Sequence, residues 1–106
     1  MPKFLFEASY TPDGIRGVQN EGGTSRREAV AKVAESVGGR LEAFYFGFGD
    51  RDAYVIADVP DNESAAAIAI TVNASGGATV KTVVLLTPEE VDAAAQRSVE
   101  YRPPGG

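Results

Sequence analysis

"RLEAFYFGFGDRDAYVIADVPD", residues 40–61, decides how this chain folds. Two runs rich in aromatic and β-branched side chains, 40–48 and 53–59, flank a polar break at Gly49-Asp50-Arg51-Asp52. Runs of this length and composition suit a pleated, half-buried surface, so each reads as a strand. Glycine and aspartate supply the chemistry of a turn between them. Pro60-Asp61 then closes the second strand and opens a helix, with Asp61 as its cap and Glu63 near the positive helix end.

Working outward, "SAAAIAITVNAS" (64–75) supplies a small-residue helix with Ala65, Ile68, Ala69 and Val72 on one side, broken by Gly76-Gly77. Residues 79–86 form a further strand, and Thr87-Pro88-Glu89-Glu90 starts a short capped helix running to about Arg97. Upstream, "TSRREAVAKVAESVGG" (24–39) predicts a helix capped by Ser25 and Glu28, with Val30, Val33, Ala34 and Val37 as its apolar stripe. Residues 3–9 alternate as a strand, and Thr11-Pro12 opens a short helix that buries Ile15 and Val18 before Gly22-Gly23. The order β-α-β-β-α-β plus a C-terminal helix predicts an α+β, ferredoxin-like fold: a four-stranded antiparallel sheet with both crossover helices on one face. We expect one domain over 1–98 and an extended tail over 99–106.

A sheet covered on one side alternates apolar and polar residues when the molecule is a monomer. Here Phe44 and Phe46 oppose Leu41, Ala43 and Tyr45; Val55, Ala57 and Val59 oppose Tyr54 and Ile56; Val80, Val84 and Leu86 oppose Val83 and Leu85. Both faces thus carry large apolar groups. Burying about 600 Å² of the uncovered face would contribute roughly 15 kcal/mol gross per subunit. The expectation is a homo-oligomer, a dimer or larger ring, closed through the helix-free sheet face, unless the loops and tail fold over that face.

Composition removes whole classes of function. The net charge is −5, without the basic footprint of a nucleic-acid module. The chain has neither cysteine nor histidine, so thiolate chemistry, Ser-His or Cys-His pairs and imidazole metal ligation are absent. No metal and no cofactor are expected. No apolar run is long enough for a transmembrane helix, and the N-terminus lacks a secretory pattern, so the expected location is cytoplasmic, away from membranes.

From about Phe4 to Gln96 the chain resembles the GYD-domain family, small bacterial and archaeal proteins grouped with the dimeric α/β-barrel superfamily. The resemblance is carried by Gly22-Gly23-Thr24-Ser25-Arg26-Arg27, by the Gly49 to Asp52 turn and by the Pro60-Asp61 helix start. The family takes its name from a Gly-Tyr-Asp signature around that turn; here no tyrosine precedes Asp52. The resemblance implies a ferredoxin-like subunit in homo-oligomers and no established activity.

The candidate ligand-binding residues are Tyr10, Arg26, Arg27, Tyr45, Arg51 and Asp52. Asp50 and Asp52 are either a hard-cation pair or general base, or turn residues bonded to nearby amides while Gly49 takes an unusual φ. "GGTSRR" (22–27) suits an anion at a helix start, or is a cap with surface ion pairs. The aromatics Phe4, Phe6, Phe44, Tyr45, Phe46, Phe48 and Tyr54 line a pocket or fill core and interface, with Tyr10 a polar handle at a pocket mouth. Tyr101-Arg102-Pro103-Pro104 either clasps a neighbouring subunit or is disordered. The reading is a homo-oligomeric module for assembly or for a small anionic or aromatic ligand. The alternative is a cofactor-independent enzyme, monooxygenase- or isomerase-like, with an aromatic pocket. A cavity of roughly 300 Å³ that buries one of the polar candidates separates the two.

Overall fold

The two apolar runs around the polar break pair as antiparallel strands in the computed structural model, which describes residues 1–106. In chain order the elements are β1 (Lys3–Tyr10), α1 (Pro12–Glu21), α2 (Gly23–Ser36), β2 (Arg40–Phe46), β3 (Ala53–Asp58), α3 (Asn62–Ser75), β4 (Ala78–Leu85) and α4 (Pro88–Ala95). The strands form one open sheet in the order β2-β3-β1-β4, with every neighbouring pair antiparallel.

Local chemistry sets most of the helix starts. Thr11 accepts from the Gly14 amide and Pro12 follows it; Asp61 accepts from the Ser64 amide at 2.8 Å. Thr87 and Glu90 cap one another's free amides reciprocally at the head of α4. At α2 the structure corrects the expected capping box. The helix begins at Gly23, two residues before Ser25, and its N-cap is Gly22, which has no side chain to offer. Gly22 adopts φ 85° and also ends α1, its amide bonded to the Val18 carbonyl. That left-handed turn joins the helices so tightly that Ser25 is already helical, where it cannot take the extended cap conformation.

Antiparallel register places facing residues on one side of the sheet. The helix side carries Leu41, Ala57, Phe4 and Val84 in one row and Phe44, Val55, Phe6 and Thr82 in the next. Phe4, Phe6, Val55, Ala57 and Val59 pack with Ala34 of α2 and with Ala65 and Ile68 of α3. Val30, Val33 and Val37 lie partly buried against them, as the stripe predicts. A register shift between Leu41 and Ala43 turns Leu41 onto the helix side, away from the Ala43 and Tyr45 face to which simple alternation assigns it.

The opposite face is less uniformly apolar than the sequence suggests. Its central row is Ala43, Ile56, Leu5 and Val83, one residue from each strand. One flanking row is Arg40, Asp58, Lys3 and Leu85; the other is Tyr45, Tyr54, Glu7 and Lys81. This is an apolar band between two rows that carry charges. Neither the loops nor the tail fold over it, because α4 and residues 96–106 are exposed throughout.

That C-terminal arm draws the molecule out. The extents are 56 × 33 × 22 Å and the radius of gyration is 16.7 Å, against about 13 Å for a compact chain of this length. The accessible surface is 7242 Å² for 11.1 kDa, where a folded monomer of that mass exposes about 5,650 Å².

Candidate functional site

The turn of the opening stretch is anchored by Asp52. Its Oδ2 accepts from the Tyr10 amide at 2.8 Å, and its own amide donates to the Ala8 carbonyl at 2.8 Å. The Gly47 amide donates to the Asp52 carbonyl and the Gly49 amide to the Arg51 carbonyl, which closes the loop on itself. Arg51 reaches Ser9 Oγ at 3.4 Å and pairs with neither neighbouring aspartate. Asp50 is exposed, and no cluster of three acidic side chains forms around it. The unusual φ belongs to Phe48 (55°), a correction to the expectation at Gly49. Phe48 stacks on Phe46 with ring centroids 5.6 Å apart, continuing an aromatic series that begins with Phe44. These bonds make the turn a clamp on the end of β1.

Above that end, between the sheet and helices α2 and α3, lies a cavity of about 80 Å³. Its lining is apolar, from Phe6, Val30, Phe44, Val55 and Ile68 to Val80, with Arg26 as its one charged member and Tyr10 as its one hydroxyl. Arg26 sits in the first turn of α2, and its helical position turns the side chain toward the sheet, not outward with Arg27. Its Nε is buried without a hydrogen-bond partner, and its Nη1 stands 3.8 Å from Glu21 Oε1. Burial pushes the Tyr10 phenol above its ordinary range; Arg26 pulls it down, and Asp52 and Glu21 push it further up.

Arg27 and Tyr45 go elsewhere. They line an open groove of about 310 Å³ with Gly23, Thr24, Phe44 and Phe46 along the β2 edge. Both side chains are exposed there, and Tyr45 is 71% exposed. The six candidates therefore fall into three places: Tyr10 and Arg26 at the cavity, Arg51 and Asp52 in the clamp below it, and Arg27 and Tyr45 in the outer groove. Tyr10 bridges the first two, its ring at the cavity and its amide on Asp52.

A charge cluster on the helix-free face is absent from the sequence-derived candidates. Asp58 accepts from Lys3 Nζ at 2.9 Å and from Arg40 Nη2 at 3.1 Å, and Lys3 also meets Glu42 at 3.0 Å. The hydrogen bond from Lys3 holds the Asp58 carboxyl below its ordinary range, opposed by desolvation and reinforced by Arg40. Sequence offers one signal for it: an acid between Ala57 and Val59 in a run that is otherwise apolar.

The GYD domain model matches residues 4–95, from the second residue of β1 to the end of α4. The chain belongs to the GYD domain family. A comparison with curated proteins returns no match. The match takes in the clamp, the cavity and, apart from Lys3, the charge cluster of this GYD protein, while residues 1–3 and 96–106 lie beyond it. No helix is long and apolar enough to cross a membrane.

Proposed function

We propose that this GYD protein is a homo-oligomeric module of ferredoxin-like subunits, joined through the helix-free sheet face in the manner of a dimeric α/β barrel. Each subunit holds a small ligand between sheet and helices. The observation that carries the assembly is surface area. The chain exposes 7242 Å², about 1,600 Å² more than a compact monomer of its mass. A standard specific interface takes about 800 Å² from each partner. Apolar side chains for such a contact lie in two places. Val91, Val99 and Tyr101 are half to four-fifths exposed along the C-terminal arm, and Leu5, Ile56 and Val83 form the apolar band.

The flanking row of Arg40, Asp58 and Lys3 suits a specific contact more than a sticky one. Lys3, Arg40, Glu42 and Asp58 are already paired with one another and bring little unpaired charge into an interface. The exposed arm fits a clasp on the neighbouring subunit. The enzyme reading has less support: the cavity between sheet and helices is about 80 Å³, against several hundred Å³ for a typical substrate pocket. The larger groove buries none of the polar candidates.

Sedimentation equilibrium on the full chain tests the assembly. The expected mass is a multiple of 11.1 kDa, and removal of residues 97–106 weakens association. A full chain that stays at monomer mass at high micromolar concentration refutes the proposal.

A further inference from the structure

We propose that the exposed C-terminal arm of one chain lies along the β2 edge of a second copy, with residues 97–102 as an added strand and Glu100 on Arg27. This rests on the homo-oligomer of the reading above and names where its clasp engages.

Three observations lead there. The first is the edge itself. β2 pairs only with β3, and no backbone bond outside the ladders involves residues 40–46. A bare edge rich in aromatic residues is a template for another strand. The opposite edge is less open, because the Val80 amide of β4 is taken by Asn73 Oδ1 at 2.8 Å. The second is charge. The open groove of about 310 Å³ runs beside β2, and Arg27 is the one charged residue that lines it. Arg27 pairs with no carboxylate of its own chain, and Glu100 of the arm pairs with no cation. The third is the alternation of the arm. As a strand, RSVEYR (97–102) puts Glu100 and Arg102 on one side and Val99 and Tyr101 on the other.

Those sides match the two faces of β2. Phe44 and Phe46 mark the helix side, where Arg27 waits for an acid, and Tyr45 marks the helix-free side. With Glu100 toward α2, Val99 and Tyr101 fall beside Tyr45 and extend the apolar band of the subunit contact. In the single chain Val99 is 80% and Tyr101 74% exposed, so both have apolar surface to lose there. Pro103 has no amide to donate, which ends the added strand at Arg102. The arm leaves from β4, three strand spacings or about 14 Å from its own β2. Every residue from 96 onward is exposed, so a chain does not cover its own edge.

The chain has no cysteine, so single introduced cysteines report the contact. Full-length Tyr45→Cys and Tyr101→Cys chains, both changed at exposed positions, are mixed and mildly oxidised. The expected product is a mixed disulfide dimer, in clear excess over that from Ile70→Cys chains mixed with Tyr101→Cys, Ile70 lying exposed on α3. Arg27→Glu and Glu100→Arg are each expected to weaken association roughly tenfold, and the two combined in one chain restore it. A mixed adduct no more abundant than the Ile70 control overturns the proposal. So does an adduct that forms only when both cysteines share one chain, or a double charge swap that fails to restore association. Sedimentation of the parent chain keeps the two readings apart. An oligomeric parent without the Tyr45–Tyr101 adduct overturns the arm's placement alone, whereas a monomeric parent overturns the assembly as well.

Discussion

Ile56 is the residue on which the assembly reading can be broken most cleanly. It sits in the central row of the helix-free face, opposite Leu5 on one side and Ala43 on the other. In a single chain it is already partly covered, so a partner adds only part of the burial of an isoleucine, about 1.5 kcal/mol at the low end. A two-fold interface counts each substitution twice, which gives about 3 kcal/mol, or roughly a hundredfold in dissociation constant. Ile56→Glu adds to this the desolvation of a carboxylate with no free cation beside it, since Lys3 and Arg40 are engaged by Asp58. Weakening by at least a hundredfold is therefore expected, with little change in subunit structure because the side chain then faces water. Sedimentation velocity from nanomolar to tens of micromolar measures it, with circular dichroism to verify the fold. Ile70→Glu is the control: Ile70 is 68% exposed on the outer side of α3, and a charge there leaves association unchanged. If Ile56→Glu sediments like the parent at every concentration while folded, the helix-free face is not the interface.

Other expectations follow from single contacts. A Cβ on Gly14 would stand 1.8 Å from the Gly77 carbonyl oxygen, so Gly14→Ala should cost at least about 3 kcal/mol. Gly17, in the same helix, meets nothing within 4 Å, so Gly17→Ala should stabilise by about 0.5–1 kcal/mol; paired thermal melts test both signs. Asp52→Ala strands the Tyr10 amide at the clamp and should cost about 1–3 kcal/mol in urea unfolding, whereas Asp52→Asn, which keeps an acceptor, costs less. Asp58 titrates lower when folded than when unfolded. Its contribution is therefore present above the ordinary aspartate range and is lost as pH falls through the depressed folded value. Asp58→Asn should flatten the acid limb of a stability–pH curve in that window while lowering stability at neutral pH; an unchanged acid limb would refute the role.

The cavity and the clamp lie outside what a linear reading can reach because their members meet only through strand pairing. Tyr10 and Asp52 are brought together by the β1–β3 register, which faces Ala8 with Ala53. Arg26 joins Tyr10 because it lies four residues before Val30 on the stripe of α2 that faces the sheet, so it is the inward one of two adjacent arginines.

Alternation, glycine breaks and caps made the element order and most boundaries legible in the sequence, since these depend on neighbours a few residues apart. The strand faces of β3 and β4 follow from alternation alone, as do the apolar stripe of α2 and the caps at Asp61 and Thr87. Tertiary structure decided what alternation cannot carry. The irregularity between Leu41 and Ala43 puts Leu41 and Arg40 on the faces opposite to those that alternation assigns. The apolar band narrows because its flanking rows are set by which strand lies beside which. A buried guanidinium nitrogen without a partner arises only when a helix is laid on a sheet. Propensity and spacing act along the chain, whereas register, burial and charge pairing act across it.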